Sequence, residues 1–111
     1  MKLLLDECIP AVYRKQFSEH EVHSAKWAGL CGFENGDLLM RIEHNYDVLI
    51  TVDQNLRHQN KIAKYAFGVV LALVKRNKLS ELLPLVDAIK EALKRIKPGQ
   101  VIIVGEMETG S

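Results

Sequence analysis

Three aspartates of this chain could do chemistry together, two of them just past apolar runs and one at the head of a helical stretch. Asp6, with Glu7 beside it, directly follows the apolar run Lys2 to Leu5. Asp53 comes two residues after the run Val48 to Thr51, and Asp37 follows Asn35-Gly36 at the head of an amphipathic stretch. If the two apolar runs are neighbouring parallel strands, Asp6 and Asp53 emerge on one edge of a sheet and face each other. Carboxylates forced together raise one another's pKa unless a cation neutralises them. An oxygen-only ligand set suits a hard divalent ion, Mg²⁺ or Mn²⁺, better than zinc. Such an ion holds a phosphate and activates water for in-line attack. The reaction class this points to is phosphodiester hydrolysis.

Each of these residues also has a plainer reading. Asp53-Gln54-Asn55 after a strand is a natural turn and helix cap. Asp37 is a first-turn acid of the kind a helix dipole favours. Asp6 is placed to cap a helix beginning at Pro10. For Asp37 the sequence leaves open at which edge of the sheet its helix starts.

The elements that must position these residues are legible as an alternation. Five runs read as strands: Lys2 to Leu5, Glu21 to Ser24, Val48 to Thr51, Gly68 to Val74 and Val101 to Val104. All but the second are nearly continuous hydrophobics, the pattern of strands covered on both faces. Helical patterns lie between them, at Pro10 to Phe17, at Asp37 to His44 with Asn35 as N-cap, and as a short helix within Asn55 to Tyr65. The clearest runs from Ser80 to Ile96, with Leu82, Leu83, Val86, Ile89, Leu93 and Ile96 on one stripe. Pro84 lies in its first turn or marks a kink, and Pro98-Gly99 stops it. Strands alternating with helices predict an α/β fold of three layers, αβα, around a five-stranded, mainly parallel sheet. In such sheets ligands bind beyond the carboxyl ends of the strands.

The chain is 111 residues long, which predicts one domain over residues 1–105, followed by a flexible tail at 106–111. Fifteen Lys and Arg against fourteen Asp and Glu give a net charge of +1, so nucleic-acid contact must come from local clustering. Cys8 and Cys31 form no CxxC or Cys/His ligand spacing, which argues against zinc and for structural thiols, buried or half-buried. The apolar run that ends at Asp6 is too short for a signal peptide or a membrane span. Reduced thiols and that short run predict a cytoplasmic protein.

Leu4-Leu5-Asp6-Glu7-Cys8-Ile9-Pro10 resembles the opening of the PIN-like family of small prokaryotic proteins: a strand, Leu-Asp-Glu, a variable residue, an apolar residue and Pro. His20-Glu21-Val22-His23 is similar to that family's second strand. The segment from Gly32 to Leu39, with Asp37 before a Leu pair, resembles its next helix start. Val48-Leu49-Ile50-Thr51-Val52-Asp53 resembles its apolar strand followed by Thr-x-Asp. The resemblance covers about the first seventy residues. It implies a PIN-like fold related to the ribonuclease toxins of toxin–antitoxin pairs, which hold Mg²⁺ or Mn²⁺ on acidic side chains and cut RNA. Carried onto this chain, it assigns Asp6, Asp37 and Asp53 to metal and catalysis and Thr51 to orienting a phosphate. Glu7 is an additional candidate. Where the family often has a second acid and a Phe after Thr-x-Asp, this chain has Asn55 and Leu56, so Asn55 would offer the metal an uncharged oxygen.

Arg57, His58 and Lys61, with Lys64, follow Asp53 closely and are candidates for phosphate contact; otherwise they are the solvated face of a short helix. Lys75, Arg76 and Lys78 read as a solvated loop, and Lys90, Lys94, Arg95 and Lys97 as the wet side of the last helix. Of the four histidines only His58 lies near the expected pocket, as a candidate acid or base. Trp27, the single Trp, is expected to pack between a short helix and the sheet. The reading is thus a Mg²⁺- or Mn²⁺-dependent ribonuclease with RNA as substrate, an antitoxin protein as a partner if it belongs to such a pair, a homodimer and no membrane association. Two alternatives stand beside it. One is a non-catalytic interaction module of the same fold. The other is a phosphoacceptor receiver domain, which needs Ser or Thr at the end of its fourth strand and Lys at the end of its fifth. Here those ends read Leu71-Ala72-Leu73-Val74 and Val104-Gly105-Glu106.

Overall fold

A computed structural model describes residues 1–33 and 35–105, without the side chains of Asn35, Gln59 and Asn60; the expected tail at 106–111 lies outside the described residues. The five strands are β1 (Lys2–Leu5), β2 (Glu21–Ser24), β3 (Val48–Thr51), β4 (Gly68–Ala72) and β5 (Val101–Val104). They form one sheet in the order β2-β1-β3-β4-β5, and every pairing is parallel, so "mainly parallel" becomes wholly parallel.

Side-chain alternation along the strands splits the core in two. Leu3, Leu5, Val48, Ile50, Val70 and Ala72 face one layer, while Leu4, Leu49 and Val69 face the other. The first layer is a 3-10 helix at Ala11–Phe17 plus the last helical segment, packed through Tyr13, Phe17, Leu82, Ile89, Ala92 and Leu93. The second contains α2 (Asn35–Glu43) and α3 (Gln59–Ile62), with Leu38, Leu39, Ile42 and Ile62 turned inward. These are the three layers expected from continuous apolar runs. Leu3, Leu4 and Leu5 are fully buried, and each contributes about 1.5–3 kcal/mol of burial free energy.

Several boundaries differ from the expectation. The first helix is 3-10 rather than α and begins at Ala11, after Pro10. A four-residue helix, α1 (Ala25–Ala28), follows β2, capped by Ser24 Oγ accepting from the Trp27 N–H and closed by left-handed Gly29. Its brevity leaves no periodic signal. α2 starts at Asn35, so Asn35 is its first helical residue and not a flanking cap. β4 ends at Ala72, two residues early. The expected helix from Ser80 to Ile96 is three pieces: α4 (Leu79–Leu82), a 3-10 turn at Leu83–Leu85 and α5 (Val86–Arg95). Pro84, which has no N–H to give, sits in the 3-10 turn and makes the break. Leu83 is consequently exposed rather than part of the buried stripe. Tyr13 binds the two parts of this layer together: its hydroxyl donates to the Leu82 carbonyl at 2.6 Å, and burial pushes its pKa up to about 12.

Candidate functional site

From β1 the chain goes first to β2 on one side and then to β3 on the other. The point where strand order reverses is therefore the crevice beyond the carboxyl ends of β1 and β3. Asp6 leaves β1 there and Thr51 ends β3. The condition set by the sequence is met, because β1 and β3 are paired neighbours with Leu5 level with Ile50. The Asp6 N–H continues the ladder, donating to the Ile50 carbonyl at 3.0 Å.

Among the described residues, Asp6 and Thr51 are the only buried polar side chains apart from Tyr13 and Tyr46, and they are bonded to each other. The Thr51 hydroxyl donates to Asp6 Oδ2 at 2.6 Å. The same hydroxyl oxygen accepts from the Asp53 backbone N–H at 3.0 Å. Thr51 thus links the two aspartates, and its one proton is taken by Asp6. Asp6 Oδ1 accepts from the Glu7 N–H at 2.8 Å. Two acceptor positions remain on the Asp6 carboxylate after these bonds. Burial raises the Asp6 pKa; the Thr51 and Glu7 bonds oppose this, and the charges of Asp53 and Glu7 add to it. A buried, electrostatically crowded carboxylate with open acceptor positions is what a hard cation would relieve.

Asp53 is half-buried and performs the capping role as well. Its Oδ1 accepts from the Asn55 N–H at 2.9 Å at the head of a 3-10 turn, Gln54–Leu56. Asp6 does not cap the helix after Pro10, which has no side-chain cap. Glu7 is exposed, with its carboxylate against the Cys31 thiol. Asn55 is exposed, and the bond it makes here is through its backbone. Asp37 is exposed in the first turn of α2. The other end of α2 meets the strand starts, where Glu43 Oε2 accepts from the Ala66 N–H just ahead of β4. Its first turn therefore points toward the carboxyl edge, but no hydrogen bond among the described residues joins Asp37 to Asp6 or Thr51. Among those residues no three His, Cys, Asp or Glu side chains converge as a complete metal-holding group. The structure brings together Asp6, Thr51 and Asp53, with Glu7 at the rim.

The two-carboxylate set fits Mg²⁺ in one specific way. That ion keeps several waters and is commonly held by one or two carboxylates plus substrate phosphate rather than by a full protein cage.

Arg57, His58 and Lys61 are exposed just past Asp53, on the α2 side, where Leu56 and Ile62 anchor their segment in the core. Two expectations about other residues fail. Trp27 is 72 % exposed, lying over His23 with ring centroids 4.3 Å apart, because β2 is an edge strand with no layer beyond it. Cys31 is exposed, whereas Cys8 is half-buried as expected. Burial and the Asp6 carboxylate raise the Cys8 thiol pKa, and slight desolvation with the Glu7 carboxylate raises that of exposed Cys31, so neither sits in the electropositive setting of a reactive thiolate.

The positions a receiver domain would fill with Ser or Thr and with Lys are held by Ala72-Leu73 and Val104-Gly105. No helix among the described residues is long and apolar enough to cross a membrane. Comparison of the chain with protein-family models, curated proteins and solved structures gave no match.

Proposed function

We propose that this protein is a Mg²⁺- or Mn²⁺-dependent ribonuclease of PIN-like character, acting at the β1–β3 carboxyl edge. The observation that carries the reading is the buried Asp6 carboxylate, held by Thr51 and crowded by Asp53. A stable fold gains nothing from such a group by itself, since burying a carboxylate beside another is costly without a counter-ion. In this reading Asp6 and Asp53 would hold the ion, which when bound would supply Lewis-acid chemistry for hydrolysis of the phosphodiester. Thr51 is a positioning residue that fixes the relative placement of the two carboxylates. Asp37, exposed in the first turn of α2 toward the same edge, is the remaining candidate acid of this reading. Glu7 and Asn55 lie at the rim, and Arg57, His58 and Lys61 bind flanking phosphates.

The test is cleavage of single-stranded RNA by the purified chain with Mg²⁺ or Mn²⁺, against Asp6→Asn and Asp53→Asn. Activity in the wild type that vanishes in both variants and in chelator supports the assignment. Equal cutting by all three proteins would assign the activity to a contaminant. A second reading, a non-catalytic module of the same fold, is favoured by one observation: the carboxylates brought together here are two, with neutral Asn55 where a further acid would strengthen the site. RNA binding without cleavage, surviving loss of Asp6 and Asp53, would select it. A toxin–antitoxin context and a homodimer belong to the same proposal.

A further inference from the structure

The loop after β4 belongs to this edge in a way its sequence does not suggest. Lys75, Arg76 and Lys78 are all exposed, within four residues, beyond the carboxyl end of β4. The loop is folded back and tied down at both ends. Glu81 Oε1 accepts from the Lys75 N–H at 2.8 Å and the Arg76 N–H at 3.1 Å. Between them and Glu81, Asn77 takes a left-handed backbone, φ 53°, and its Nδ2 donates to the Cys8 carbonyl, two residues past Asp6. β3 lies between β1 and β4 in the sheet, so a tether from the end of β4 to the end of β1 carries the loop across the end of β3, where Asp53 sits. Val74 and Leu79 anchor the loop in the layer of the Ala11–Phe17 helix. Leu56 and Ile62 anchor the segment that carries Arg57, His58 and Lys61 in the opposite layer. The cations Arg57 and Lys61 on one side and Lys75, Arg76 and Lys78 on the other therefore flank the carboxylate crevice from both sides of the sheet.

We infer that the Lys75–Lys78 loop is a second phosphate-binding wall, and that the substrate is an extended polynucleotide strand crossing the sheet edge from Arg57–Lys61 to Lys75–Lys78. This rests on the nuclease reading for the identity of the polyanion. Three cations stand against one carboxylate in the loop, Glu81, whose charge is held by the backbone N–H groups of Arg76 and Lys75 and by the nearby Arg76 and Lys78 side chains. Those N–H groups are occupied, so the side chains make the phosphate contacts. A dinucleotide or small phosphodiester reaches one wall only; a strand of several nucleotides reaches both. Asn77 is a positioning residue, setting where the cations stand relative to Asp6.

The test uses the full chain in chelator, where the RNA stays intact, with a fluorescently labelled single-stranded RNA of about twelve nucleotides followed by anisotropy across a salt series. Each phosphate contact on a single strand contributes about 0.7 to the slope of log K against log [salt]. Lys75→Ala/Arg76→Ala/Lys78→Ala is expected to reduce the slope by about 2 and to weaken binding at least tenfold at low salt. Lys90→Ala/Lys94→Ala/Arg95→Ala removes the same charge from α5 and is expected to leave the slope unchanged. Asn77→Gly keeps the left-handed turn and loses the tether; it is expected to weaken binding several-fold with little change of slope. Equal losses in the two triple variants, an unaffected loop variant, or no binding of RNA by the wild type would overturn the assignment. Loop-dependent binding without metal-dependent cleavage would sustain the loop and defeat the hydrolytic reading. Asp6-dependent cleavage unchanged in the loop variant would do the reverse.

Discussion

The two edges of the sheet carry ionisable groups in opposite ways. At the amino edge a cleft of about 800 Å³ is lined by Met1, Glu19, His20, Asp87, Lys90 and Lys94, among others. Two ion pairs stand there: Lys90 lies 3.7 Å from Glu19 and Lys94 2.9 Å from Glu91. Such surface pairs contribute little. His20 Nδ1 is buried there without a hydrogen-bond partner among the described residues, but a neutral imidazole nitrogen costs far less to bury than a charge. At the carboxyl edge Asp6 is 7 % exposed, has no basic partner among the described residues and lies near two other acids, Asp53 and Glu7. What marks the carboxyl edge is a buried carboxylate crowded by other acids at the point where the strand order reverses.

The difference can be broken by mutation. Asp6→Asn and Asp53→Asn at the carboxyl edge are expected to lower RNA cleavage by more than about a hundredfold, because each removes charge stabilisation made at the reacting phosphate. Glu19→Gln at the amino edge should leave the rate within about twofold, as surface pairs are weak. Initial rates at saturating RNA make the comparison. Thr51→Val comes next. It keeps the shape and loses the hydroxyl bridge, so the rate should fall about 10–100-fold, as for other groups that orient metal ligands. Thr51→Ser should restore most of it; a Ser variant as poor as Val would mean that the methyl packing, not the bridge, matters.

Stability sharpens the same contrast. Asp6 has a raised pKa in the folded protein, so the native state binds its proton more tightly than the unfolded chain does. Its stabilising contribution is complete below the unfolded carboxylate range and is lost as pH rises through the folded value. Asp6→Asn avoids that loss. In metal-free buffer near pH 7 the variant should melt a few degrees above wild type, and the gap should close toward about pH 4. A variant that melts lower at neutral pH would mean that the charged carboxylate is stabilised by the protein alone. The smallest effect is expected at the amino edge, where Lys90→Ala should change stability by no more than about 0.5 kcal/mol.

Much of this arrangement was readable in advance. Continuous runs such as Leu3-Leu4-Leu5 and Val48-Leu49-Ile50 suggest strands covered on both faces, and that puts Asp6 and Asp53 at strand ends. What periodicity cannot carry is neighbourhood. It does not say that β2 lies at the edge, so Trp27 was expected inside. It does not say that a polar loop after β4 is tied to Cys8, so Lys75, Arg76 and Lys78 read as solvated. The carboxyl-end rule holds for β4 as well as for β1 and β3, and it is the signal in the sequence that points to that loop. Pro84 was legible as a break, whereas α1 was too short to show a period.

The account rests on Asp6 and Asp53 sharing a divalent cation, and Mn²⁺ binding measures this without reference to activity. Electron paramagnetic resonance of free Mn²⁺, titrated with the full chain, should show one bound ion per chain. That binding should be lost in Asp6→Asn and Asp53→Asn and retained in Lys90→Ala. Wild type that leaves the free-ion signal unchanged, or aspartate variants that bind as wild type does, would contradict it.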